Sequence, residues 1–269
     1  MNPIPKADPA SLPTALVSAH PPHLMQVYGW IEKLKPRVYV LTDASGRDGM
    51  SKLGPTDLFL ESVQAPRGAI YGRFTDVNIY SKLLSHDTAF FVGLADELAR
   101  DLVGHGIRRV LGDAAEGFNP IHDVCRMITG AALEKIRRQN GLEIASFDFS
   151  LEKDPFDCPE ELRADAMWLT LSDDEVRRKI SFNRHHYPEI FTIEARSLSP
   201  DRHRIECLRP CTNRTGFDGP PEDPPFYERR GEERAATGRY KDVIRYREHV
   251  RPVGEALWSF ACKKTAVTA

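Results

Sequence analysis

The chain has 269 residues, enough for one large domain or two small ones, with 41% hydrophobic and 28% charged residues, the balance of an ordinary globular protein. A formal net charge of -2 supplies no field to draw nucleic acid or an anionic membrane, and no segment approaches the roughly twenty apolar residues of a membrane span. The five cysteines (Cys125, Cys158, Cys207, Cys211 and Cys262) are an odd number without CxxC spacing. They read as free thiols of a reducing compartment, and the proline-rich start, Met1 to Pro13, makes a poor signal peptide, so a cytoplasmic location is expected.

In chain order, Thr14 to Ala19 is short and apolar, a buried strand that stops abruptly at His20-Pro21-Pro22-His23. Leu24 to Leu34 has helical spacing, and Arg37 to Leu41 is β-branched and aromatic, a second strand. A Gly/Ser-rich loop over 42–53 precedes a helix over 56–63 and a short strand over 69–72. Asp87 to His105 is the clearest helix, with Phe90, Phe91, Leu94, Ala95, Leu98 and Leu102 in one stripe, Asp87 as N-cap and Gly104 and Gly106 as stop. A fourth strand covers 109–112 and a long helix 121–138. A strand follows over 144–151, then a helix over 172–186 opened by a Ser172/Glu175 capping box. Residues 209–225 are rich in Pro, Gly and Asp and form a long surface loop, while 240–257 closes the pattern as one or two helices. The arginines of the last third are interleaved with acids, as on solvated helix faces.

Strands alternating with helices predict an α/β fold, Rossmann-like, with a mostly parallel sheet, helices on both faces and a C-terminal helical elaboration. No repeat or clear linker divides the chain, so a single domain over 1–269 is expected. Ligands of such sheets bind beyond the carboxyl ends of the strands. The residues there are His20 and His23; Thr42 and Asp43; Arg73, Thr75 and Asp76; and Asp113, Glu116, Asn119, His122 and Asp123. Each also has a plainer role. Asp43 suits a loop cap, Arg73 a turn pair with Asp76, and Asp113 and Glu116 the N-terminal end of a helix. His185 and His186 face different ways on one helix, and His249 reads as a surface residue.

Three of these places carry a resemblance. His20-Pro21-Pro22-His23, Thr42-Asp43-Ala44 and Asn119-Pro120-Ile121-His122 fall in the order and at the approximate spacing of three motifs of the LmbE-like, or PIG-L, family of metal-dependent N-deacetylases. Those motifs are His-Pro-Asp-Asp after the first strand, Thr-Asp-Gly after the second, and His-Pro-Asp-His opening a later helix. The resemblance covers residues 14–140, and residues 240–252 look like the C-terminal helix of some members. It implies that His20, His23 and His122 hold the metal, an imidazole replacing the family's carboxylate ligand. Pro22 stands where the family has its general base, and Asn119 where a histidine helps to stabilise the oxyanion.

Three imidazoles suit Zn2+, with Fe2+ as the alternative. The expected function is a metal-dependent hydrolase of an N-acyl amide on a small, sugar-like metabolite. Asp113 or Glu116 would substitute for the missing base, Asn119 would bind the oxyanion, and Asp43, Arg73 and Asp76 would contact substrate. Two alternatives stand beside it: a three-His iron(II) oxygenase or rearrangement enzyme, and a non-catalytic binding protein. A small molecule is the expected partner, with a homo-oligomer left open.

Overall fold

The computed structural model describes residues 12–46, 49–188 and 203–263. The proline-rich start, expected to be flexible, lies outside the described residues up to residue 11. The apolar runs form β1 (Thr14–Ser18), β2 (Arg37–Thr42), β3 (Arg67–Phe74), β4 (Arg109–Asp113) and β5 (Ala145–Phe149), joined by β6 (Met167–Thr170) and β7 (Ile205–Pro210). They make one sheet in the order β3-β2-β1-β4-β5-β7-β6. The first five strands are parallel; β7 runs antiparallel to β5 and to β6.

Both faces are covered, and the alternation along β1 shows how. Ala15, Val17 and Ala19 turn towards one apolar cluster and Leu16 towards the other. The first cluster is filled by α4 (Thr88–Gly104), α5 (Pro120–Asn140) and α9 (Arg251–Cys262). The second is filled by α1 (Tyr28–Leu34), α2 (Leu53–Val63) and the leucines Leu169, Leu171 and Leu208. The fold is therefore α/β and Rossmann-like, with a mixed sheet and a helical C-terminal addition.

Several elements differ from expectation. The helix expected from Leu24 begins earlier, as a 3-10 turn over Pro21–Val27, because two prolines without N–H groups suit a first turn. A helix absent from the sequence reading, α3 (Asp76–Leu84), follows β3 directly; Thr75 caps it in a reciprocal box with Asn78. Strands β6 and β7 were likewise not expected, and β7 takes the first two residues of the presumed loop at 209. That strand is held by Arg209, whose guanidinium lies 2.7 Å from Asp148 on β5. Between the short α6 (Glu160–Arg163) and the C-terminus stand α7 (Asp173–His186), opened as expected by Ser172 with Glu175, and α8 (Phe226–Ala236). Only the latter part of 240–257 is helical, as a π-turn at Tyr246–Val250 leading into α9. No described helix is long and apolar enough to cross a membrane, and all five cysteines are free thiols.

Candidate metal centre

The chain lays β2 and β3 on one side of β1 and then crosses to place β4 on the other. That reversal opens a crevice beyond the carboxyl ends of β1 and β4. His20 and His23 come from the turn after β1, and His122 from the first turn of α5 after β4. The α5 start is set locally: Pro120 occupies the first turn, and Asn119 Oδ1 accepts the Ile121 N–H at 2.9 Å.

The three histidines meet there. Their ring centroids are 5.0 Å (His20–His23), 5.0 Å (His20–His122) and 4.4 Å (His23–His122) apart, with interplanar angles of 73° to 87°. One ligand atom from each lies within 4.8 Å of the others. Imidazoles sharing a tetrahedral cation at about 2.0–2.1 Å have ring centres about 5 Å apart, so the spacing suits one ion. Protonation suits it too. Burial, then the neighbouring His23, lowers the His20 pKa to about 4, and burial with His23 and His20 pushes His122 well below its ordinary value. Imidazoles that are neutral at neutral pH keep a lone pair for a cation. Donor type, spacing and protonation all fit a divalent metal.

The other expected site residues are placed differently. Asp113 is completely buried, and its oxygens accept from Ser18 Oγ at 3.0 Å, Ala19 N at 2.7 Å and the His23 Nδ1 at 2.9 Å. A carboxylate so engaged holds its neighbours and is not an open base. Glu116 is turned away, accepting from Ser150 Oγ at 2.6 Å, Leu151 N at 2.8 Å and Glu152 N at 3.1 Å to fix the turn after β5. Asp43 caps its own loop through Ser45 N at 2.9 Å. Arg73 makes a two-pronged pair with Glu97 of α4, at 2.8 and 2.7 Å, on the outer surface. These are the contacts that the structure gives the residues expected as a base, Asp113 or Glu116, and as substrate contacts, Asp43 and Arg73. Asn119 is at the crevice, with its oxygen used as the α5 cap and its amide nitrogen as the donor that is left.

Asp76 is also at the site, but as a partner of Thr42 (2.6 Å) and, more distantly, of His20 (3.4 Å). Sequence reasoning placed Thr42 at a strand tip and in a motif without naming its contact, did not single out Ser18, and missed Tyr80 along with its helix. The Tyr80 hydroxyl reaches Asn119 Oδ1 at 3.4 Å. Asp123, beside His122, is buried; its pKa is pushed up to about 7 by that burial, although it accepts the Gly117 N–H at 3.1 Å.

A second cluster, His86, Glu248 and His249, also brings its ligand atoms within 4.8 Å. His249 is buried, contrary to the surface position expected of it. Its Nδ1 accepts the Arg245 N–H at 3.0 Å, which leaves the proton of the neutral ring on Nε2, 3.8 Å from Glu248. A ring in that state presents no lone pair to an ion. His185 and His186 touch edge to face without joining a third ligand among the described residues.

No protein-family profile matches the chain, and no curated protein matches it. Solved structures do. The zinc-inhibited form of teicoplanin deacetylase Orf2 is 14% identical, with 73% of this chain and 97% of that one covered and a TM-score of 0.49. The A40926 pseudoaglycone deacetylase Dbv21 is 16% identical, with 73% and 96% covered and a TM-score of 0.47. A deacetylase–bog complex from teicoplanin biosynthesis is 13% identical, with 73% and 97% covered and a TM-score of 0.49. Likeness at that level says nothing about chemistry. The resemblance to LmbE-like deacetylases read from the motifs agrees with the Rossmann-like sheet and with the meeting of His20, His23 and His122.

Proposed function

We propose that the protein is a metal-dependent hydrolase of deacetylase type, cleaving an N-acyl amide on a small, sugar-like molecule. The observation that carries this reading is the convergence of His20, His23 and His122 at the carboxyl end of the sheet, in the places where the resembled family binds its metal. The three side chains would hold the ion, zinc being the first choice for a three-nitrogen donor set. A divalent cation there supplies Lewis acidity, polarising a carbonyl and acidifying water. The chain's own residues do the rest. Asp113 keeps His23 in place, and the Asn119 amide nitrogen is the donor for the oxygen of a tetrahedral centre.

Pro22 can move no proton, and the carboxylates expected to replace the family's base are engaged elsewhere. Absence of positioned acid–base help lowers rates by about 10² to 10⁴, so slow turnover is expected. Zinc-loaded protein incubated with N-acetylated sugars and amino acids should release free amine. His122→Ala should abolish both release and zinc retention. Release that survives this substitution would defeat the reading.

The same lack of an open carboxylate among the described candidates favours a second reading, an oxygen-using iron(II) centre on the three imidazoles. Iron in protein purified without chelator, together with substrate-dependent oxygen consumption, would select it.

A further inference from the structure

We propose that Asp76 and Thr42 form a hydrogen-bond relay that holds the His20 ring proton on Nδ1, making both positioning residues of the metal centre. The proposal rests on the reading of His20 as a ligand, and it deepens that reading by naming what aims the ring.

Thr42 is fully buried, and its hydroxyl has one hydrogen to give. Asp76 Oδ1 lies 2.6 Å from Thr42 Oγ1, and the Ala19 carbonyl oxygen lies farther off at 3.2 Å. Both neighbours are acceptors, so the hydrogen is directed away from His20, and the shorter contact to the carboxylate takes it. The side of Thr42 Oγ1 that faces His20 Nδ1, at 2.7 Å, therefore offers only a lone pair. That nitrogen must be the donor. A neutral imidazole carries one ring proton, so its Nε2 is left with a free lone pair. The remaining Asp76 oxygen accepts the Gly46 N–H at 2.8 Å, which fixes the carboxylate and ties it to the loop after β2.

His23 is arranged the same way without an intermediary, because its Nδ1 lies 2.9 Å from Asp113 Oδ2. Sheet order explains the difference. Asp113 ends β4, which borders β1 directly, whereas Asp76 follows β3, which is separated from β1 by β2. Adjacent strands are about 4.8 Å apart, and the Asp76 carboxylate beyond β3 comes only to 3.4 Å from His20 Nδ1, at the outer limit of a hydrogen bond. The Thr42 hydroxyl, at the end of the intervening strand, is the nearer partner of that nitrogen at 2.7 Å. The arrangement also places two carboxylates behind three uncharged donors, so the double charge of a bound cation is balanced from outside its ligand set.

The test is Thr42→Val, Thr42→Ser, Asp76→Asn and the Thr42→Val/Asp76→Asn pair, each checked for folding by circular dichroism. Two readouts serve: the His20 ring tautomer in metal-free protein, from long-range ¹⁵N–¹H NMR with His20→Gln for assignment, and zinc affinity by competition with a chelator. Wild type and Thr42→Ser should show the Nδ1–H tautomer and similar zinc affinity. Thr42→Val should lose the tautomer preference and bind zinc about 10- to 100-fold more weakly. The double variant should be no worse than Thr42→Val alone, since one relay is broken once. A Thr42→Val protein that keeps the Nδ1–H form, or zinc affinity within twofold of wild type, overturns the proposal. Failure of wild type to bind zinc would sink the metal reading instead, and the tautomer in the metal-free protein would then decide the relay by itself.

Discussion

Glu134 on α5 gathers three partners on a nearly buried carboxylate: Arg137 at 2.6 Å, Arg138 at 2.5 Å and the Asn213 amide at 3.3 Å. Chiefly through Arg137, its pKa falls from 4.5 to about 2. A carboxyl lowered on folding adds stability that is complete above its unfolded value and is lost as pH falls through the folded one. Both guanidinium groups are about two-fifths exposed, so solvent screening trims the gain to about 1–2 kcal/mol. Glu134→Gln should therefore be less stable than wild type at pH 7 by about that amount in urea unfolding. The gap should close between pH 4.5 and 2; a gap that persists at pH 2 would mean packing, not charge, is responsible. Single residues of this kind were only partly readable beforehand. The three histidines were, since they follow strands and match motif places. The duties of Asp113 and Glu116 were not, because a strand-tip carboxylate looks the same whether its oxygens are open or already receiving backbone N–H groups.

At the next scale, α1 is held at its start by a strand far along the chain. Glu206 of β7 accepts from Gly29 N at 3.0 Å and Trp30 N at 3.1 Å, and the Lys179 ammonium of α7 sits 2.8 Å from the same carboxylate. All this is buried, and Gly29 permits the approach, since a Cβ there would collide with Leu171 and Leu169. Lys179→Met leaves the carboxylate without its cation, for a loss of about 3 kcal/mol in chemical denaturation. A loss below 1 kcal/mol would indicate that the helix N–H groups suffice. Elements with a long apolar stripe or a continuous apolar run, such as α4, α5, β1 and β4, were legible in the sequence for that reason. In β6 only Leu169 is buried, so no alternation marks it, and β7 depends on the Arg209–Asp148 pair formed across 61 positions. Helix α3 had a cap signal in Thr75, but Asn78 completes the box where Glu or Gln is the usual sign.

For the molecule as a whole, alternation of strands and helices predicted a parallel sheet but not the antiparallel β7, nor the strand order that brings His122 to His20. If those rings share an ion, binding must add to global stability. Zinc at 100 times its dissociation constant should stabilise the native state by about 2.7 kcal/mol, read as a rise in thermal midpoint that His122→Ala lacks. An unchanged wild-type midpoint under that condition would count against a bound ion.

The crossing of the chain between β1 and β4 also has a bearing on biogenesis. Two of the three donors are synthesised together, and the third follows about a hundred codons later, a wait of about 5–20 s at ordinary elongation speeds. An ion captured by the first pair alone would be bound weakly and exchangeably. If the three rings share an ion, firm capture would have to await docking of α5, and metal acquisition would mark completed assembly instead of seeding it.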